Sequence, residues 1–184
     1  MSRTDRIILG IDHGTNIMGY GILEVAAKKP RYISMDVLHL GKISDPYLKL
    51  QKIFKETITL IDQFHPDELA IETQFFGKNV QSMLKLGRAQ GVAIAAALSR
   101  DVPIFEYAPR KIKMAITGQG GASKEQVANI LARILQIDII PDNLDATDGL
   151  AVALCHFFQD NAIAQENNYK GWGDFLKKNP DRLR

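Results

Sequence analysis

The sequence predicts an α/β domain in which one mixed sheet carries helices on both faces. Two observations carry this. Three strand-like runs, 7–11, 19–25 and 32–40, follow one another through short turns, as in an antiparallel meander. Two further short apolar runs, 68–72 and 102–107, then alternate with stretches of helical periodicity, as parallel strands joined by crossovers do.

The first strand, Ile7-Ile8-Leu9-Gly10-Ile11, reads as central and covered on both faces. It ends on Asp12, and Gly14 permits a tight turn or the close approach of a ligand. Gly19–Val25 forms the second strand. Lys28-Lys29-Pro30 signals a turn before the third, in which His39 belongs on the surface. Asp45-Pro46 is a helix start, with Asp45 as cap and Pro46 in the first turn. Leu48, Leu50, Ile53, Phe54, Thr57, Ile58 and Ile61 then recur at helical spacing to Phe64, and Pro66 marks the stop. Glu68–Glu72 is a short strand that, like the first, ends on a carboxylate.

A loop over 73–79 leads to a helix from Val80 to Ser99. Its second half is rich in Gly and Ala, which suits close packing, and Gly87 and Gly91 are read in that sense. Val102–Tyr107 is the last strand, with Pro103 at its start. A short helix runs from Pro109 to Ile116. Ser123 with Gln126 forms a capping box for the next helix. Pro141-Asp142-Asn143 breaks the chain before a final core helix from Leu144 to Asp160. Residues 1–160 thus make one folded domain, and 161–184 a polar tail read as poorly ordered or as a partner contact.

Composition excludes more than it assigns. With 23 basic and 21 acidic residues the net charge of +2 does not by itself imply nucleic acid. A single cysteine, Cys155, cannot form an internal disulfide, and no apolar window reaches a membrane span, so the expectation is a cytoplasmic protein. There is no Cys/His cluster for zinc or iron and no GxxxxGK[ST] phosphate loop.

Four carboxylates carry the chemistry. Asp12 and Glu72 each end a strand, where ligands gather in α/β proteins if the two strands are parallel neighbours. Asp145 and Asp148 are three apart at a helix start and share a face with Ala151 and Leu154, which must point at the sheet. Each feature alone is a common turn or helix cap. Together, four converging acids would repel unless cations lay between them. Carboxylates are natural ligands of Mg²⁺ or Mn²⁺, and two ions about 3.5–4 Å apart suit phosphodiester hydrolysis. Basic residues cluster without intervening acid at Arg110, Lys111, Lys113 and Lys124, and Lys78, Lys85 and Arg88 follow Glu72. These could contact phosphates. Phe75 and Phe76 could stack on unpaired bases or plug the core beneath their loop.

The chain resembles the RuvC family of Holliday junction resolvases over residues 7–160. The likeness rests on Gly10–Gly14 with Gly19-Tyr20-Gly21, on Ala70-Ile71-Glu72 with Phe75 and Gly77-Lys78-Asn79, on Leu84–Gly91, on Tyr107–Lys113, and on Asp145–Ala153. The resemblance implies an RNase H-like fold, with Asp12, Glu72, Asp145 and Asp148 as metal-binding acids. It places Lys113 and Lys124 near the scissile phosphate and Phe75 against junction bases. It implies a homodimer that nicks a four-way DNA junction symmetrically using Mg²⁺ or Mn²⁺, two ions per site, and partnership with the RuvA and RuvB branch-migration proteins. The family often has proline after its first aspartate, where this chain has His13. Two rivals stand beside this reading. Asp12-His13-Gly14-Thr15 is similar to the first phosphate motif of the actin and sugar-kinase superfamily, which needs two such domains. A non-catalytic junction-binding protein is the other, and the four acids argue against it, because bare acids repel phosphate.

Overall fold

The computed structural model describes residues 5–73, 79–141 and 143–166, with side chains to residue 160. Phe75, Phe76 and Lys78 lie outside these residues, as does the tail beyond Glu166. The chain runs β1 (Arg6–Asp12), β2 (Ile17–Ala26), β3 (Lys29–His39), α1 (Pro46–Phe64), β4 (Glu68–Glu72), α2 (Val80–Leu98), β5 (Ile104–Tyr107), α3 (Pro109–Thr117), α4 (Lys124–Leu135) and α5 (Asp145–Glu166).

The five strands form one sheet in the order β3-β2-β1-β4-β5. β1 pairs antiparallel with β2 and parallel with β4, and β4 pairs parallel with β5. β1 is therefore central, and Ile8, Leu9 and Ile11 are fully buried. Because strand side chains alternate, the sheet has two distinct apolar faces. Ile8 and Ala70 pack with α3, α4 and α5, whereas Leu9, Ile11, Leu69 and Ile71 pack with α1 and α2. Among the described residues no helix is long and apolar enough to cross a membrane.

The expected helix starts are where local chemistry puts them. Asp45 accepts from the Tyr47 and Leu48 amides at 2.7 and 3.1 Å. Ser123 and Gln126 complete the capping box of α4. Two boundaries differ by three residues or more. Lys29 and Pro30 belong to β3, because the tight turn uses Ala27 and Lys28 at positive φ and proline is tolerated on an edge strand. α5 continues to Glu166 instead of ending at Asp160.

The sheet and α5 touch backbone to backbone. A Cβ on Gly19 of β2 would fall 1.9 Å from the Asp145 carbonyl, and one on Gly149 of α5 would fall 2.5 Å from Tyr20 Cα. Only hydrogen fits at both places, so the first turn of α5 is seated directly on the β1–β2 ribbon. This approach, which the Gly19-Tyr20-Gly21 spacing did not announce, sets the position of the acids. Gly87 and Gly91 behave otherwise: among the described residues a Cβ at either meets nothing within 4 Å, so no described residue packs against them.

Candidate active site

The last paired residues of β1 and β4 are Ile11 and Ile71. Asp12 and Glu72 thus stand one step further, side by side at the carboxyl edge of the sheet. Counting in twos from Ile8 and Ala70 puts both carboxylates on the α5 face. Asp145 and Asp148, in the first turn of α5, reach the same edge because that turn lies on Gly19. Asn143 holds the start of the helix, its Oδ1 accepting from the Asp145 amide at 3.1 Å. The structure brings these four acids, from three elements, to one edge of the sheet.

Their electrostatics show mutual influence. Burial, then the charges of Asp148 and Asp145, against Lys124, raise the Asp12 carboxyl to about 6. Burial, then Asp12 and Asp148, push Glu72 up to about 8 against the opposing pull of Lys124 and Lys113. Asp148 is also raised, chiefly by burial, although Lys124 bonds it. At neutral pH, Glu72 therefore keeps its proton unless further positive charge arrives.

One cation is already built in. Lys124 Nζ donates to Asp145 Oδ1 at 2.8 Å and to Asp148 Oδ2 at 2.5 Å. Burial works against its charge, but these two hydrogen bonds outweigh burial and raise its pKa. Lys113 Nζ donates to the Ala122 carbonyl at 2.8 Å and lies near enough to influence Glu72 and Asp148. Among the described residues, no three His, Cys, Asp or Glu side chains are preassembled at metal-ligand spacing. The donor set is nonetheless all carboxylate oxygen, which suits a hard divalent ion. The three raised carboxyls and the ammonium seated between Asp145 and Asp148 mark a place that demands positive charge. The residues fit the expected metal.

The other basic residues divide. Lys85 and Arg88 are not among the acids. They line a separate groove of about 370 Å³ with Thr15, Asn16, Tyr47 and Lys49. Lys49 Nζ is tied to Thr15 O at 3.0 Å and to Asn16 Oδ1 at 3.3 Å. Only a contact 34 positions away gives Lys49 this place, and no local pattern encodes that. Lys111 Nζ sits over the Tyr107 ring, 5.3 Å from its centroid, and Arg110 is exposed beside it. His13 is buried, and burial lowers its pKa to about 4, so its ring is neutral at neutral pH. His39 is exposed on β3, as expected.

A sequence-family model for the crossover junction endodeoxyribonuclease RuvC matches residues 8–156. The chain belongs to the RuvC family. A RuvC of Christiangramia forsetii is 60% identical over 99% of this chain and 95% of its own length. A RuvC of Bacteroides fragilis is 59% identical over 98% of this chain and 97% of its own. The solved structure of Thermus thermophilus RuvC in complex with a Holliday junction substrate superposes with a TM-score of 0.79 at 30% identity, covering 85% of this chain and 96% of that one. The RNase H-like fold expected from the RuvC resemblance is thereby established, and the kinase-like reading of Asp12–Thr15 gives way to it.

Proposed function

We propose that this RuvC-family chain resolves four-way DNA junctions by paired symmetric nicks, with Asp12, Glu72, Asp145 and Asp148 as its metal-holding acids. It is a crossover junction endodeoxyribonuclease. Family membership implies divalent-metal dependence. The observation that most supports the site assignment is the convergence of the four acids at one sheet edge, where Asp12 and Glu72 are raised to about 6 and about 8.

Mg²⁺ or Mn²⁺, at two ions per site, would supply charge to stabilise both the attacking water and the departing 3′ oxygen. The chain's own groups do the rest. Glu72 releases its proton as positive charge arrives, and the four carboxylates then fix where that charge sits. Lys113 and Lys124, on α3 and at the start of α4, present ammonium groups beside the acids, where the extra negative charge of in-line attack on the phosphodiester develops. The products are 5′-phosphate and 3′-hydroxyl ends that a ligase can seal. Lys85 and Arg88, in the groove beyond the β1–β2 turn, and Arg110 and Lys111, on α3, are proposed as backbone contacts for the DNA arms. The proposed base contacts of Phe75 and Phe76, and a phosphate contact of Lys78, rest on the sequence reading alone.

A second copy of the chain is needed to nick two strands at one crossover. The outer face of α2 is the proposed seam. Leu84 and Leu98 are 53% and 57% exposed there, with Gly87 and Gly91 open between them. Small residues between apolar ones let two helices approach closely. RuvA and RuvB remain proposed partners on the strength of family likeness.

The test is cleavage of a synthetic mobile four-way junction in Mg²⁺, beside matched duplex and the Asp148→Asn protein. Paired, ligatable nicks are expected only with the junction and only with the unmutated protein. Full cleavage by Asp148→Asn would overturn the acid assignment, and equal cutting of duplex would overturn junction selectivity.

A further inference from the structure

We infer that Gln90 of α2 is a positioning residue for the catalytic edge, fixing the backbone of Glu72 from the face of the sheet opposite the acids. The inference rests on the assignment of Glu72 made above. Gln90 Nε2 donates to the Glu72 carbonyl at 3.4 Å and to Glu106 Oε1 at 2.7 Å. Both partners are acceptors, so the amide nitrogen, with its two hydrogens, is the end that must face them. One side chain thereby ties the last residue of β4 to β5 and both to α2.

The tie falls where the sheet itself stops providing one. The pairing of β4 with β1 ends at Ile71, one residue before Glu72. On its other side Glu72 is level with Tyr107, and the Thr73 amide donates to the Tyr107 carbonyl at 2.9 Å. Residue 72 is thus held by β5 on one flank and by Gln90 at its carbonyl. Its side chain must share a small space with Asp12 and Asp148, against strong mutual repulsion once ionised. A strand end left to relax would let the carboxylate move away from them. Groups that orient metal ligands without touching the metal are worth about 10–100-fold in activity or metal affinity when removed. Gln90 also lies on the helix proposed to meet a second copy, one residue from the open Gly91. Its bonds are a contact through which that helix reaches the backbone of Glu72.

Gln90→Glu is the decisive variant. It keeps the shape and removes the donor. The full-length protein carrying it should cleave the synthetic junction about 10–100-fold more slowly at saturating junction. Junction affinity in Ca²⁺ should change less than twofold, and the sedimentation behaviour should be that of the unmutated protein. Mn²⁺ titrated into DNA-free protein and followed by its free-ion EPR signal should bind about tenfold more weakly. Gln90→Glu paired with Glu106→Gln restores a hydrogen bond between residues 90 and 106 but not the donation to the Glu72 carbonyl, so this double variant should stay slow. Recovery of the double variant would overturn the role at Glu72 and leave only a tie between α2 and β5. Glu72→Gln runs alongside. If it is inactive while Gln90→Glu cleaves and binds Mn²⁺ normally, the positioning role falls alone. If Glu72→Gln cleaves normally, the site assignment falls and takes the positioning role with it.

Discussion

Replacing Glu72 by glutamine should make the metal-free protein more stable while abolishing cleavage. The carboxyl is raised from 4.5 to about 8, first by burial and then by Asp12 and Asp148. A raised folded value means that the folded chain holds the proton more tightly than the unfolded chain. Between pH 4.5 and 8, folding therefore loses stability as pH rises, and the loss is complete above 8. At pH 7.5 about three pH units of that window have been crossed, each worth about 1.4 kcal/mol, which sets a ceiling of about 4 kcal/mol. Glu72 keeps partial contact with water, and screening reduces this to about 2 kcal/mol. For a chain of this length that is about 4–8 °C in melting temperature. Calorimetry in EDTA at pH 7.5 should show Glu72→Gln melting higher by this amount, and the difference should shrink at pH 5. Adding Mg²⁺ should raise the melting temperature of the unmutated protein more than that of the variant, because bound cations stabilise the folded state by mass action. An unchanged or lower melting temperature for Glu72→Gln in EDTA at pH 7.5 would refute the argument that this carboxyl is held against repulsion.

Other outcomes follow from the same geometry. Lys124→Gln removes the ammonium bonded to Asp145 and Asp148; it should retain junction binding and lose about 10²–10³ in cleavage rate, as measured in single-turnover assays. Without divalent ions the same variant should melt below the unmutated protein, since two carboxylates lose their partner; an equal melting temperature would count against the built-in counter-ion. Gly19→Ala forces a methyl against the Asp145 carbonyl and should cost about 3 kcal/mol or more by urea denaturation, with weakened Mn²⁺ binding in whatever folds. His13 is held down from 6.5 to about 4 by burial, so the unfolded chain binds its proton first and the stability this ring contributes is lost as pH falls from about 6.5 toward 4, a change of up to about 3 kcal/mol. Urea midpoints at pH 7 and pH 5 should therefore differ less in His13→Asn than in the unmutated protein, and equal differences would refute it.

Strand and helix identity were legible because hydrophobic spacing and capping residues are local properties. Asp45, Pro46, Ser123 and Gln126 mark helix starts by hydrogen bonds to amides two or three residues on, which any short window contains. The edges of β2 and β3 were less legible. Where a hairpin turns depends on which residues accept positive φ, and Ala27 and Lys28 do so here without a glycine to announce it.

The sequence by itself marked the four candidate acids and their kind. Each ends a strand or opens a helix, and the ordered motifs around them name a family. What only the tertiary structure decided is how they are held. Contact between Gly19 and the first turn of α5 spans more than a hundred positions, the match of Ile11 with Ile71 spans 60, and no periodicity records either. The same holds for Lys49 at Thr15, for Lys124 between Asp145 and Asp148, and for Gln90 at the Glu72 carbonyl. Local pattern fixes which face a side chain shares with its neighbours in sequence. Partners distant along the chain are fixed by packing, because only the folded sheet and its helices set the distances over which charge and hydrogen bonding act.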